Sequence, residues 1–212
     1  MPRVGQEPLR RAALVSATIH EIGRAGSLDV TVSQIARTAG MSPALAHYYF
    51  DSKNALFLAA MRHILSAFGT SVRRRLRQAR GPRERLRAIV GASLGQEQFE
   101  THVVGAWLVF YVEAQRAPEA ARLLRIYARR LHSNLRHALR MLVPAAAADT
   151  IARGAAAMID GLYIRHALHD ALASPAAAER LVVQYLDRMV ECHAPESGGG
   201  RGRRSSSDAG TS

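Results

Sequence analysis

Two groups of ring-bearing residues stand out for the chemistry their types and spacing allow. The first is His47-Tyr48-Tyr49, three rings with polar tips on a short helical stretch, where a purely structural helix more often shows Lys, Glu or Gln. Such tips can exchange hydrogen bonds with base edges and phosphates. The second is Trp107, Phe110 and Tyr111, at spacings of three and four and therefore on one helix face. Asp160 and Tyr163 share a face of a later helix in the same way. Rings around a carboxylate suit a quaternary ammonium, which has no proton to donate and is held by ring quadrupoles and a counter-charge. From residue types alone the same rings are more simply core filler, and that alternative stays open.

The first group needs a scaffold, and residues 31–53 supply one. Val32, Ile35, Ala36 and Ala39 recur at helical period. Thr31 ahead of them, with Gln34 three places on, forms a capping-box pattern. Gly40 stands where a helix ends in a left-handed residue. Ser42 offers a second N-cap, with Pro43 at the first helical position, where a missing N–H costs nothing. A second short helix follows from Ala44 to Tyr49. Phe50 closes it, and Asp51 or Ser52 can cap the helix that starts at Lys53. Two short helices around a glycine turn make the unit whose second helix enters a major groove. An ordinary helical hairpin in an all-α domain is the alternative.

The rest of the chain reads as helices. Met1 to Pro8 is expected to be a flexible arm, from which Arg3, Arg10 and Arg11 can reach phosphates or a minor groove. The first helix is expected over about 9–25, with Leu14, Ala17, Thr18 and Ile22 inward. A long helix from Lys53 carries Leu56, Phe57, Ala60, Ile64, Phe68 and Val72 and breaks at Gly81-Pro82. It can tie the N-terminal unit mechanically to the remainder. Further helices are expected over about 83–94, 99–115 and 118–142, with Ala145 to Ala148 as a loop, and then 151–171 and 176–189. Small residues at Gly154 to Ala157 admit a close helix neighbour, and Leu181, Tyr185, Leu186 and Met189 form an apolar stripe. That last pair is expected to dock on a symmetry mate, since a two-fold operator needs two copies. The Gly-, Ser- and Arg-rich stretch from Ala194 cannot bury a core and is expected to be disordered.

Composition bounds these readings. With 48% apolar residues, 212 residues can bury a real core, and no stretch alternates as a strand does. The expected class is all-α. Cys192 is the only cysteine, which excludes an intrachain disulfide and fits a reducing cytoplasm. The N-terminus shows no signal-peptide pattern, and the longest apolar run, Val103 to Val112, is about half of a bilayer span. The net charge of +12 points to a polyanion, with nucleic acid the natural candidate. Its distribution weakens that argument. Residues 1–50 hold five Arg against three acids, whereas nine Arg between Arg62 and Arg87 face only Glu84. Arg74 lies roughly 30 Å along the long helix from Lys53, so that run reads as a solvated face. Nothing has metal-ligand spacing, a nucleophile elbow or a phosphate-binding glycine loop, so no enzyme is expected. His166 and His169 read as a polar helix face. A bare helical oligomerisation module would lack any salt-dependent promoter preference.

The segments Thr31-Val-Ser-Gln-Ile-Ala-Arg-Thr-Ala-Gly-Met-Ser42 and His47-Tyr-Tyr-Phe-Asp-Ser-Lys-Asn-Ala-Leu56 resemble the N-terminal domain of the TetR family of bacterial repressors. Three further segments resemble the choline-responsive branch of that family, which controls glycine betaine synthesis: Gly105-Ala-Trp-Leu-Val-Phe-Tyr111, Arg129-Arg-Leu-His-Ser-Asn-Leu135 and Ile159-Asp-Gly-Leu-Tyr-Ile-Arg165. Met1 to Gly5 and Arg10-Arg11 match as well. The resemblance implies an all-α, TetR-like fold in three parts: a DNA-binding domain over 1–52, with its helix-turn-helix at 31–50; a ligand-binding and dimerisation domain over 53–193; and a tail over 194–212. It implies a cytoplasmic homodimer on double-stranded operator DNA, repressing choline uptake and oxidation genes, released by choline, with no cofactor and no membrane. DNA contacts are expected from Thr31, Ser33, Gln34, Arg37, Ser42, Pro43, Ala44, His47, Tyr48, Tyr49 and Lys53. Among them Thr31, Lys53 and Tyr49 are expected on phosphates, and Ala44, His47 and Tyr48 on bases. The small cationic ligand is expected among Trp107, Phe110, Tyr111, Asp160 and Tyr163. Two features depart from that branch. Pro43-Ala-Leu-Ala-His-Tyr48 replaces a smaller, more polar reading helix, and Tyr111 and Tyr163 stand where Trp is common. A TetR-type regulator answering a different amine or a drug is the alternative.

Overall fold

The computed structural model describes residues 6–169 and 174–193. These form α1 (Gln6–Ala25), α2 (Val32–Thr38), α3 (Pro43–Tyr49), α4 (Lys53–Leu76), α5 (Pro82–Ser93), α6 (Thr101–Glu113), α7 (Pro118–Leu139), α8 (Ala145–Ala167) and α9 (Pro175–His193). A 3-10 turn, Gln96–Gln98, precedes α6, and no strand occurs among the described residues. The expected tail over 194–212, the residues Met1 to Gly5 with Arg3, and the span 170–173 lie outside them.

Local chemistry sets the short helices. Thr31 Oγ1 accepts from the Gln34 amide at 3.1 Å, and Gln34 Oε1 accepts from the Thr31 amide at 2.7 Å, so the capping box of α2 is closed. Gly40 turns the chain at φ +67°. The Met41 amide donates back to the Ala36 carbonyl at 2.8 Å, satisfying an orphan group of the α2 end. Ser42 Oγ caps α3 through the Leu45 amide at 3.2 Å, and Ser52, of the two candidates, caps α4 through the Ala55 amide at 3.1 Å.

Two expectations are corrected. The alanines at 145–148 are the first turn of α8 rather than a loop. Alanine has the highest helix propensity, and Ala148 is fully buried. Residues 6–8, expected in the arm, belong to α1, which begins at Gln6, with Arg10 and Arg11 paired to Gln6 and Glu7 one turn back.

The α4 helix is the spine. Leu56, Phe57, Ala60, Ile64, Phe68 and Val72 form its buried stripe, while Arg73 to Arg75 are exposed near its end. By length and mean hydropathy alone it is long and apolar enough to cross a membrane; here its apolar stripe is buried inside the protein. The most extensive pairing in the fold is α1 along α6. It rests on two glycines. A Cβ on Gly23 would lie 1.9 Å from the His102 carbonyl oxygen, and one on Gly105 would lie 2.4 Å from the Gly23 carbonyl oxygen. The two backbones are therefore in direct contact.

Candidate functional site

The reading unit is braced from behind. Glu21 of α1 is buried and accepts from Arg24 at 2.9 Å and from the Thr38 hydroxyl of α2 at 2.8 Å. The Arg24 hydrogen bond, then that of Thr38, holds its carboxyl below the usual range. Ile35, Ala36 and Ala46 are fully buried, and Arg11 of α1 sits 4.9 Å from the centre of the Phe50 ring. What remains outward on α3 is Pro43, Ala44, His47 and Tyr48, the last 72% exposed. Ser33, Arg37, Ser42 and Lys53 are exposed on the neighbouring elements.

Three placements qualify the expected contacts. Tyr49 is buried, not presented to solvent, with its ring 5.2 Å from Tyr48 in an edge arrangement. It falls on the same face of α3 as Ala46, which packs inward, so the run of three rings splits two outward and one inward. The polar groups of Thr31 and Gln34 are engaged with each other. Lys53 Nζ donates to the Leu28 carbonyl at 2.9 Å, which fixes the ammonium at the start of α4.

The second group of rings comes together across α6, α7 and α8. Trp107 is stacked with Tyr111 at 5.8 Å and with Tyr163 at 6.3 Å between centroids. Phe110 backs Trp107 at 5.7 Å and turns toward Phe57 of α4 at 6.3 Å, so it lines the rear of the cluster. Tyr111 donates to Asp160 Oδ1 at 2.9 Å. Tyr163 donates to the Ser93 carbonyl of α5. Burial raises the Asp160 carboxyl above its ordinary range, against the lowering effect of the Tyr111 hydroxyl. Burial, then the Asp160 charge, raises both the Tyr111 and Tyr163 hydroxyls, so both stay protonated as donors. Trp107 Nε1 is buried without a hydrogen-bond partner. The arrangement is a half-buried carboxylate among flat aromatic faces, with one indole donor left over.

Comparison with known proteins decides the family. Residues 82–191 match the family described as "BetI-type transcriptional repressor, C-terminal", and residues 14–60 match "Bacterial regulatory proteins, tetR family". The chain is 53% identical over 186 residues to the HTH-type transcriptional regulator BetI of Brucella suis, covering 88% of this chain and 94% of the relative. It is 52% identical over 191 residues to BetI of Agrobacterium fabrum, covering 90% and 93%. The chain belongs to the TetR family, as a BetI-type transcriptional repressor.

Solved structures agree on the TetR fold. A transcriptional regulator from Pseudomonas aeruginosa PAO1 aligns with TM-score 0.75 at 24% identity, covering 89% of this chain and 93% of that one. A transcriptional regulator from Saccharomonospora viridis, solved in complex with choline, aligns with TM-score 0.72 at 23% identity, covering 84% and 95%. BetI-type repressors are DNA-binding regulators and not enzymes, which accords with the lack of catalytic motifs in this sequence.

One member of the aromatic cluster escaped sequence reasoning. Tyr127 of α7 is buried and lies 4.9 Å from Trp107 and 5.2 Å from Phe68 of α4. Its helix reads as a wet arginine face, but Ala120, Tyr127, Leu131 and Leu135 make a buried stripe on the other side. A single ring four residues from a buried leucine was the available signal.

Proposed function

We propose that this BetI-type repressor acts in the cytoplasm as a homodimer that represses choline uptake and oxidation genes and leaves its operator when choline binds the Trp107–Asp160 cluster. The observation that supports the choline reading best is the Asp160 carboxylate. It sits among Trp107, Tyr111 and Tyr163 with no ion pair to a described residue. A trimethylammonium group completes that environment, because rings and a counter-charge are its only strong partners. The free Trp107 N–H is a donor for the choline hydroxyl oxygen. The choline complex of the Saccharomonospora viridis regulator lends the reading support from a relative in fold.

In this reading residues 1–52 form the DNA-binding head, with His47, Tyr48 and Ala44 on base edges and Arg37, Ser33, Ser42, Pro43, Thr31, Gln34 and Lys53 along the backbone. Residues 53–193 form the body. Ile164 of α8 and Leu181 of α9 are 48% and 49% exposed, an apolar face that suits a second copy. The α6 helix touches α1 at Gly105 and carries Trp107 and Tyr111, so a ligand at the rings bears on the head through one rigid helix. The required coupling is typically about 1–3 kcal/mol.

A gel-shift on the chain's own upstream DNA, with and without choline, tests this. Choline is expected to release the DNA. Unchanged affinity at saturating choline, or equal release by a primary amine, overturns the choline assignment. His47→Ala and Tyr48→Ala are each expected to weaken operator binding by about 1–3 kcal/mol, whereas Tyr49→Ala is expected to lower the melting temperature instead.

The raised Asp160 carboxyl gives a pH test. Choline keeps its charge at every pH, so only Asp160 ionisation alters the pair. Affinity is expected to be constant at neutral pH and to fall as pH drops through the Asp160 value, which lies above the reference of 3.8. Choline favours the ionised form, so calorimetry should show proton release in that window. A profile that stays flat as pH falls from neutrality to the reference of 3.8 would sink the role given to this carboxylate.

A further inference from the structure

A groove runs between the second half of α4 and the middle of α7. Leu65, Gly69 and Val72 from α4 and Ile126 from α7 make its apolar floor, and Ile126 is 37% exposed there. The cavity measures about 320 Å³, and a shallower depression continues it toward Arg62 and Leu123. That size falls at the small end of ligand pockets. Its rim is cationic. Arg62, Arg73 and Arg130 line it, no carboxylate does, and among the described residues none of the three forms an ion pair. Arg73 has one hydrogen bond, to the Thr70 hydroxyl at 3.0 Å, which leaves most of its guanidinium donors open.

The charge here is the reverse of that in the aromatic cluster. Three guanidiniums without ion pairs, over an apolar lining that also includes the Phe68 and Tyr127 rings, repel a quaternary ammonium and favour a carboxylate or phosphate with an apolar body. Tyr127 is the wall between the two places. It lines the groove, and its ring lies 4.9 Å from Trp107.

The geometry points to the α4/α7 groove as a second ligand site, for a dissolved anionic amphiphile: a short-chain carboxylate or phosphate monoester whose alkyl body lies along Leu65, Gly69 and Ile126 and whose head is held by Arg73 and Arg130. The site lies on α4, the helix that starts at the head with Lys53, and its occupant touches Tyr127 and not the rings around Asp160.

The test is calorimetric titration of the full chain with octanoate, octyl phosphate and octan-1-ol. The two anions are expected to bind at least about tenfold more tightly than the alcohol, and the Arg73→Gln, Arg130→Gln double variant is expected to remove that preference. Gly69→Leu fills the floor. A Cβ there meets only the Arg73 guanidinium at 3.7 Å, so the side chain leaves the helix without a backbone clash, and a melting temperature no lower than the parent's will show that the fold is kept. It is expected to abolish octanoate binding. Trp107, the only tryptophan, should report octanoate in its fluorescence through Tyr127. Equal binding of octan-1-ol, or octanoate affinity unaltered by Gly69→Leu, overturns the site. Phosphatidylglycerol vesicles separate a dissolved ligand from a lipid surface. The basic chain is expected to adhere to them equally with and without Gly69→Leu. Vesicle binding that falls with Gly69→Leu while octanoate binding persists would assign the groove to a membrane headgroup and overturn the proposal.

Discussion

Asp160→Asn is expected to cost choline binding about 2–4 kcal/mol, roughly thirty- to several-hundred-fold, while operator affinity without choline stays unchanged and the melting temperature rises. The three readouts follow from one carboxylate. Burial already opposes its ionisation, and the Tyr111 hydroxyl alone offsets that, so the free protein holds a charge that is costly to desolvate. Asn keeps the acceptor that Tyr111 bonds and removes the charge, so the ligand-free fold gains. Choline loses its counter-ion and is left with ring quadrupoles, worth about 0.5–2 kcal/mol. Titration calorimetry, a gel-shift and a thermal melt read the three effects separately. A variant that keeps choline affinity, or that loses DNA binding along with it, refutes the cage. Trp107→Phe isolates the other half of the argument, since it keeps a flat ring and deletes the indole N–H that has no partner.

How far these features were legible in the sequence depends on whether they are local or tertiary. The capping box at Thr31 and Gln34, the glycine turn at Gly40 and the Ser42-Pro43 start are set by residues within four positions of each other, and the observed hydrogen bonds are the expected ones. The inward stripe of α4 followed from period alone. The errors have a different origin. Tyr49 was read with Tyr48 because both carry polar tips, yet adjacent helical residues point about 100° apart, and the core claimed one of them. The alanine run at 145–148 reads as a loop because it lacks an amphipathic pattern; it is helical because alanine has the highest helix propensity, and only Ala148 of the four is buried. Tyr127 is hidden by its arginine-rich helix, although Arg122, Arg125, Arg129, Arg130 and Arg136, which mark a wet face, imply a dry face opposite. The contact of Gly23 with the backbone at His102 could not be read at all, since a glycine's close neighbour is set by a helix some eighty residues away.

That contact gives the prediction with the broadest reach. Gly23→Ala adds a single methyl group, on a helix interior where alanine is intrinsically favoured by about 1 kcal/mol. At this site the methyl carbon would lie 1.9 Å from the His102 carbonyl oxygen and 2.6 Å from its carbonyl carbon. Backbone cannot rotate away as a flexible side chain can, so α1 must lift from α6. Overpacking of this kind costs about 1–3 kcal/mol, more where backbone meets backbone, and the propensity of alanine offsets about 1 kcal/mol of it. For a chain of this size a net loss of about 1–2 kcal/mol is expected to lower the melting temperature by roughly 2–8 °C. Gly69→Ala is the matched control: its Cβ would meet only the Arg73 guanidinium at 3.7 Å, so the same chemical change is expected to stabilise. The second consequence concerns the link between the two ends of the molecule. Gly105, the other half of the crossing, is two residues before Trp107, so a lifted α1 no longer follows α6 when the rings are occupied. Choline is then expected to bind Gly23→Ala with near-normal affinity but to alter its operator affinity by much less than in the parent protein. If that variant melts as the parent does and releases DNA as fully, α1 and α6 do not carry the signal, and α4 becomes the remaining continuous connection between the rings and the head.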